Sequence, residues 1–421
     1  MKACKCIYEQ APKFLLISLL SHGRPTQSSQ PDHAIALKFN YYPNLTMASP
    51  ETHNSGLLLT SFGALNLVDL PLPTASPGSV VVQVLATYIP SNAKSLYAGT
   101  NPFFDFPFPL TPGLSSVGRV HAIGPDAAKL KTGDLVFVDP TVTARDDDDV
   151  VILQGHFQGW RPEGKVLMEK MWRNGPLQKY MLAPLENCVL LDESKHCGEL
   201  KYAPAELVTA FPYMVAAGPL IESAKLQAGE TIVIGPASGS YSGACVEIAL
   251  ALGANVVALG RSPSKFAKML ESLGRPKRLQ CVVMTGCEAD DVVALQKAVP
   301  NGAHVYSDWS PTGSKDAIYL STVAAVLRRR ARVVLSGAAN TSVGLPHGIM
   351  VLKDIEMKGK YMYNRSTVRT VFELVALGLL ELGERTGAFV RNYELESFED
   401  ALAVAEEHGT WRDFTIITPN V

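Results

Sequence analysis

The stretch Thr231-Ile-Val-Ile-Gly-Pro-Ala-Ser-Gly-Ser-Tyr-Ser-Gly243 constrains this chain more than any other. An apolar run ends in a turn of small residues. A helical pattern follows from Ala244 to Leu252, and a second apolar run spans Asn255 to Leu259. Strand, small-residue turn, helix and strand in that order form the unit that holds a dinucleotide. Backbone N–H groups at the helix N-terminus face the pyrophosphate, and small side chains let the backbone come close. Set on the G-x-G-x-x-G fingerprint, Ala237 takes the first glycine position, Gly239 the second and Ser242 the third. Gly235 and Gly243 flank them, and Ser238, Ser240 and Tyr241 complete the turn. Only Gly239 is in strict register, so the assignment rests on the strand–helix–strand context.

The end of the second strand speaks to which dinucleotide. It reads Leu259-Gly-Arg-Ser-Pro-Ser-Lys265. A site for NAD usually places Asp or Glu here to accept hydrogen bonds from the ribose 2′-OH. This chain has Gly260, followed by Arg261, Ser262 and Lys265. A carboxylate repels a 2′-phosphate, whereas Arg and Lys pair with it, which favours NADP(H).

The remaining sequence sets the frame. A length of 421 residues allows two or three domains. The net charge of −2 gives no long-range attraction to nucleic acid or to an anionic membrane. The all-apolar runs fall short of a membrane span. Seven scattered cysteines make no disulfide framework, so reduced thiols and a cytoplasmic location are expected. Residues 1–46, with a short apolar run at Phe14–Leu20, look foreign to the rest and are expected to be a disordered or non-native extension.

From Gly56 to Val138, short runs rich in β-formers are bounded by Pro and Gly clusters, which predicts a small, partly open barrel. Asp139 to Gly175 has little periodicity. Its Asp146-Asp-Asp-Asp149 run lacks accompanying His/Cys spacing and reads as a solvated acidic loop. From Ala205 helices and strands alternate, which predicts a crossover helix over Ala205–Glu222 and then a parallel sheet covered on both faces. The strands expected in it include Arg332–Ser336 and Glu356–Lys360, and the helices include Lys315–Arg328.

With these residues in place, the chain resembles the medium-chain dehydrogenase/reductase superfamily. The most specific likeness is Pro112-Gly-Leu-Ser-Ser-Val-Gly-Arg-Val-His-Ala-Ile-Gly124 followed by Gly133-Asp-Leu-Val136. Lys358-Gly-Lys-Tyr-Met-Tyr363 and Ser336-Gly-Ala-Ala339 are also similar. The resemblance implies an α/β chain in two domains. Residues 47–204 and 356–421 would form a GroES-like, mostly β catalytic domain, and residues 205–355 a Rossmann-type doubly wound parallel sheet. It further implies that backbone groups at Ser336, Gly337 and Ala338 face the nicotinamide carboxamide.

The departures from the family carry as much information. Zinc members place a Cys after the strand that ends here at Ala86-Thr-Tyr-Ile-Pro90, and this chain has none. The His and Glu of the family's Gly-His-Glu triplet are Leu114 and Ser115. No cysteine lies between Cys6 and Cys188, so the structural-zinc lobe is missing as well. His121 and His156 remain, read as strand or loop surface residues. The expectation is therefore no metal, and a likeness to fungal zinc-free members near quinone oxidoreductases and enoyl reductases.

Without a Lewis acid, hydride transfer to an already polarised acceptor is the economical chemistry. The leading expectation is an NADPH-dependent reductase acting on an activated C=C of a small hydrophobic, polyketide-like substrate in secondary metabolism. Tyr88 is the candidate donor to the substrate oxygen, with Lys94 beside it in Tyr88-Ile-Pro-Ser-Asn-Ala-Lys94. The quinone-reductase pattern has Asn at Pro90 and Asp at Ala93, so its catalytic roles do not transfer. A quinone or carbonyl reductase, a non-redox enzyme for cyclisation, isomerisation or elimination, and a reductase serving a polyketide assembly line stay open. No nucleic-acid or membrane partner is expected, and the chain is expected to be a monomer or a homodimer.

Overall fold

The computed structural model describes residues 53–100, 105–312, 314, 319–340 and 342–420. The expected N-terminal extension, Cys4, Cys6 and most of the Lys315–Arg328 turns before Tyr319 lie outside them.

Nine strands build the first part of the catalytic domain: β1 Asn54–Leu59, β2 Leu65–Leu70, β3 Ser79–Ile89, β4 Ser116–Ile123, β5 Leu135–Val138, β6 Thr141–Thr143, β7 Val151–Leu153, β8 Tyr180–Pro184 and β9 Cys188–Leu190. The backbone dictates the long central strand. Ser79-Val-Val-Val-Gln-Val-Leu-Ala-Thr-Tyr-Ile89 is rich in β-branched residues, and nine of its eleven residues are buried. β3 pairs antiparallel with β4 along one edge, and with β8 and then β17 (Asp413–Ile417) along the other. The C-terminal strand thus returns from far along the chain to lie beside Thr87–Ile89. β16, Phe389–Tyr393, extends the sheet parallel to β17.

The second domain is a six-stranded sheet in the order β12-β11-β10-β13-β14-β15. Its strands are β10 Thr231–Gly235, β11 Asn255–Gly260, β12 Leu279–Val283, β13 Ala303–Asp308, β14 Leu327–Leu335 and β15 Glu356–Gly359, all parallel. This is the doubly wound order, with the switch point between β10 and β13. Alternate residues of each strand serve opposite cores. Ile232, Ile234, Val256 and Ala258 pack on one face, and Val233, Val257, Leu259 and Tyr306 on the other. Burial on both faces is what makes these strands continuous apolar runs.

One expectation needs correction and another gains detail. The domain boundary at 356 cuts off β15, which completes the parallel sheet by pairing Arg332–Leu335 with Glu356–Gly359. The crossover helix expected over Ala205–Glu222 forms as one stretch, Pro204–Ser223, whose pitch changes along it: α over Pro204–Leu207, 3₁₀ over Val208–Ala210, α over Phe211–Ala217 and π over Gly218–Ser223. Pro212 and Pro219 accompany the changes of pitch, since neither can donate an intrahelical hydrogen bond. Among the described residues this is the one helical stretch long and apolar enough to cross a membrane, and 78% of it is buried inside the protein as a core element.

Candidate active site between the two domains

The cofactor turn forms where the sequence places it. β10 ends at Gly235, the chain turns through Pro236–Ser238, and the helix Ser240–Ala251 starts with Gly239 as its N-cap. Ala237 N–H donates to Leu259 O at 2.8 Å, which ties the turn to β11. Ser242 Oγ accepts from Gly239 N–H at 3.0 Å. Ser240 and Tyr241 form the first helical turn, whose N–H groups have no intrahelical acceptor, so they are available to an anion. Gly243 is set by packing, since a Cβ there would lie 2.3 Å from the Trp411 ring.

The neighbouring strand ends converge on this turn. Trp309 N–H donates to Gly235 O at 2.9 Å, and Ser336 N–H to Asp308 O at 3.0 Å. Ser336, Gly337 and Ala338 therefore follow β14 at the carboxyl edge of the sheet, where a doubly wound fold binds its ligand. The Ser336 hydroxyl is buried and finds no hydrogen-bond partner among the described residues. The cavity of about 160 Å³ lined by Thr231, Asn255, Lys277 and Asn301 opens at the opposite, amino edge and is not this site.

At the end of β11, Gly260 is buried, and a Cβ there would lie 2.9 Å from Phe266 Cζ. Arg261 and Lys265 are exposed, and Ser262 caps the next helix by accepting from Lys265 N–H at 3.4 Å. Tyr319 closes this corner. Its ring lies 2.9 Å from where a Gly235 Cβ would be. Burial pushes its phenol pKa up, and the nearby Arg261 guanidinium opposes that shift.

Opposite the turn stands an aromatic wall drawn from both domains. Tyr88, at the end of β3, is buried, with its ring 5.9 Å from Phe211 and 6.3 Å from Phe414. Burial holds its phenol pKa well above the usual value; Tyr241 adds to the rise, and the adjacent Ser240 hydroxyl opposes it. Tyr241 itself is pushed up to about 12 by burial and interacts with Tyr88, Tyr361 and Tyr363. Four tyrosines thus gather at the N-terminus of the cofactor helix. Phe157 continues the wall, 5.0 Å from the Trp160 ring and 6.5 Å from Tyr361. Trp160 and Tyr361 are 63% and 47% exposed, which sets them at its rim.

Lys94 is not part of this assembly. Its ammonium donates to Glu406 at 2.9 Å with about half of each side chain in solvent, so the catalytic place expected for it beside Tyr88 is withdrawn. His156 is corrected too: it is buried rather than on the surface, and burial lowers its pKa to about 4. His121 is half-buried, edge-on to Tyr180 at 4.8 Å. The Asp146–Asp149 loop is exposed, and Asp147 and Asp149 face Arg161.

The positions where zinc members carry ligands do come together. Ser115 O accepts from Thr87 Oγ1 at 2.9 Å and from Tyr88 N–H at 3.4 Å, so Leu114 and Ser115 abut the end of β3. Their side chains do not fit zinc. Leu114 offers no donor atom, Ser115 offers a neutral hydroxyl, and structural or catalytic zinc takes Cys, His or carboxylate ligands. Among the described residues no group of three or more His, Cys, Asp and Glu is placed to hold a metal ion.

Sequence reasoning missed Tyr319, Phe266, Asp139 and the ring contributions of Phe211 and Phe414. No local motif marks them, because each acts through partners distant in the chain. Lys358-Gly-Lys-Tyr-Met-Tyr363 was noted for its likeness but not for its place beside Tyr241.

Comparison with known proteins agrees with this architecture. Residues 76–193 match the family described as alcohol dehydrogenase GroES-like domain. The chain is 22% identical over 374 residues to a D-xylulose reductase A of Aspergillus niger, covering 86% of this chain and 96% of that protein. It shares its fold with a cobalt- and zinc-bound thermostable alcohol dehydrogenase from Pyrobaculum aerophilum (TM-score 0.64, 24% identity, 87% of this chain and 100% of the other). A short chain alcohol dehydrogenase from E. coli CFT073, complexed with the cofactor NADH, aligns with TM-score 0.67 at 17% identity, over 87% of this chain and 99% of the other. The chain therefore carries an alcohol dehydrogenase GroES-like domain at residues 76–193, is similar over most of its length to dehydrogenases of the medium-chain type, and shares their two-domain fold.

Proposed function

We propose that the protein is a zinc-independent, NADPH-dependent reductase that transfers hydride to the activated C=C of a small hydrophobic substrate in the cytoplasm. The observation that carries this reading is the aromatic wall facing the cofactor turn: Tyr88, Phe211, Phe414, Tyr241, Phe157 and Tyr361. A polyol such as the substrate named for the xylulose reductase relatives needs a partner for each hydroxyl, and a wall of rings leaves most of them unpaired. A conjugated substrate loses little there. Its carbonyl oxygen takes up enolate charge as hydride arrives at the β-carbon, and the Tyr88 hydroxyl stabilises that charge by hydrogen bonding.

NADPH is favoured by the chemistry at the end of β11. A side chain at position 260, where a site for NADH usually carries Asp or Glu, would require the Phe266 ring to shift, while Arg261 and Lys265 stand exposed beside the Ser262 cap. When bound, the cofactor supplies the hydride; Gly235 to Ser242 would hold its pyrophosphate and Ser336 to Ala338 its carboxamide.

A carbonyl reductase is the second reading, favoured by the named activities of the relatives. NADPH oxidation followed with an enone, a quinone and a ketone separates the two. Turnover with the enone and not with the ketone is expected, and ketone turnover alone would move the assignment to the second reading.

A further inference from the structure

Asp139 and Tyr363 form a buried pair that the hydride step does not use. Asp139 follows β5 in the catalytic domain, and Tyr363 follows β15 in the dinucleotide-binding domain. Both are at most 4% exposed. The Tyr363 hydroxyl donates to Asp139 Oδ1 at 3.1 Å, and Thr141 N–H donates to the same oxygen at 3.0 Å. The Tyr363 ring lies 6.5 Å from Phe211, which in turn packs on Tyr88, and its hydroxyl is close enough to Tyr241 to interact electrostatically. The pair therefore adjoins the aromatic wall and Tyr241 at the cofactor turn, through side chains of both domains.

We infer that Tyr363 is the proton donor of the reduction and that Asp139 is the positioning residue that recharges it. This inference rests on the reductase reading above. Hydride from the reduced nicotinamide forms the new C–H bond at the β-carbon, and the C=C electron pair moves to make an enolate. The α-carbon then takes the Tyr363 hydroxyl proton, and the Tyr363 oxygen takes the proton of neutral Asp139. One hydride and one proton are delivered, Tyr363 ends neutral, Asp139 ends as a carboxylate, and a proton taken up from solution restores the carboxyl.

The geometry makes the state of Asp139 decisive. An ionised Asp139 can only accept, so it holds the Tyr363 proton away from the substrate. A protonated Asp139 can donate to the Tyr363 oxygen, which frees the phenol hydrogen to turn from Asp139 toward the side of Tyr241 and the cofactor turn. Burial raises the Asp139 carboxyl to about 6; the Thr141 N–H, the Tyr363 hydroxyl and the Arg365 guanidinium oppose that shift. The donor-competent form is therefore present below pH 6 and lost as pH rises through about 6.

The test compares the whole protein with Tyr363→Phe and Asp139→Asn, using NADPH and an enone across pH 5–8. Tyr363→Phe keeps the ring against Phe211, and NADPH affinity and thermal melting report that each variant is folded. For the unmodified enzyme, kcat should fall tenfold per pH unit above about 6, with a solvent isotope effect. Tyr363→Phe should lower kcat roughly 100-fold or more with little change in NADPH affinity. Asp139→Asn should flatten the pH profile. Should Tyr363→Phe retain the kcat, pH profile and solvent isotope effect of the unmodified enzyme, the donor assignment alone is overturned. If the unmodified enzyme reduces no acceptor, the reductase reading fails and takes this inference with it.

Discussion

A Cβ at position 260 would lie 2.9 Å from the Phe266 ring, so any side chain at this position of the proposed nucleotide site would require that ring to shift. The charge beside it belongs to Arg261, which is exposed and near Tyr319. Hydrogen bonds to a charged group are worth about 1.5–3 kcal/mol each. Arg261→Asp should therefore weaken NADPH roughly 10- to 100-fold and leave NADH nearly unchanged, read as two dissociation constants. Equal affinity of the unmodified protein for the two cofactors would remove the preference. Gly260 and Arg261 were legible in the sequence because the fingerprint is local: strand, turn, helix and strand fit within about 30 residues. Lys94 and Tyr363 were not. Closeness to Tyr88 in sequence suggested Lys94, yet Glu406 on a distant helix claims its ammonium. The role proposed for Tyr363 depends on its hydrogen bond to Asp139, 224 positions away.

At the scale of elements, the cofactor helix Ser240–Ala251 is clamped to the C-terminal segment that feeds β17. Glu247 Oε1 accepts from Tyr213 at 2.9 Å and from the Trp411 indole at 2.6 Å, while Arg412 pairs with both Glu247 oxygens. Both side chains of this ion pair are buried, at 7% and 5% exposure. Arg412 also donates to Ser272 O and Thr386 O, so its charge is fully engaged. The clamp fixes one domain against the other close to the turn, where Ser240 Oγ donates to Gly409 O at 3.2 Å. Breaking a buried pair by removing one partner leaves a charge uncompensated. Glu247→Gln should cost about 3–5 kcal/mol of stability, seen as a clear fall in melting temperature. An unchanged melting temperature would mean the clamp contributes nothing net.

A second element-scale expectation concerns β15. It is the edge strand of the parallel sheet, and the helix before it, His347–Lys353, buries no residue and exposes Val351 and Leu352 at 59% and 80%. An open edge beside apolar side chains is a template for pairing. Sedimentation should find a homodimer that Leu352→Glu dissociates, and a monomer at all concentrations would contradict it. The strands were legible because each is a continuous apolar run, and most observed strands overlap the expected ones. The helix His347–Lys353 was not foreseen, since no amphipathic period marks it. The crossover helix was legible as one piece, Pro204–Ser223, and only its changes of pitch were not.

The whole molecule joins two domains at a cleft with the cofactor turn on one side and Tyr88 on the other. The order of the parallel sheet and the return of β17 to β3 bring these parts together, and the sequence pattern predicted only that the sheet is parallel. The second depends on pairing between Thr87–Ile89 and Thr415–Ile417, which no local signal encodes. The chemistry proposed for the cleft follows from what lines it: aromatic rings, tyrosine hydroxyls, and Leu114 and Ser115 where zinc members carry ligands. The most direct measurement is reduction of an enone by deuterated NADPH after exhaustive chelation of the enzyme. The account predicts undiminished turnover with deuterium at the β-carbon of the product. Activity that vanishes on chelation and returns with zinc, or deuterium at the carbonyl carbon, would contradict it.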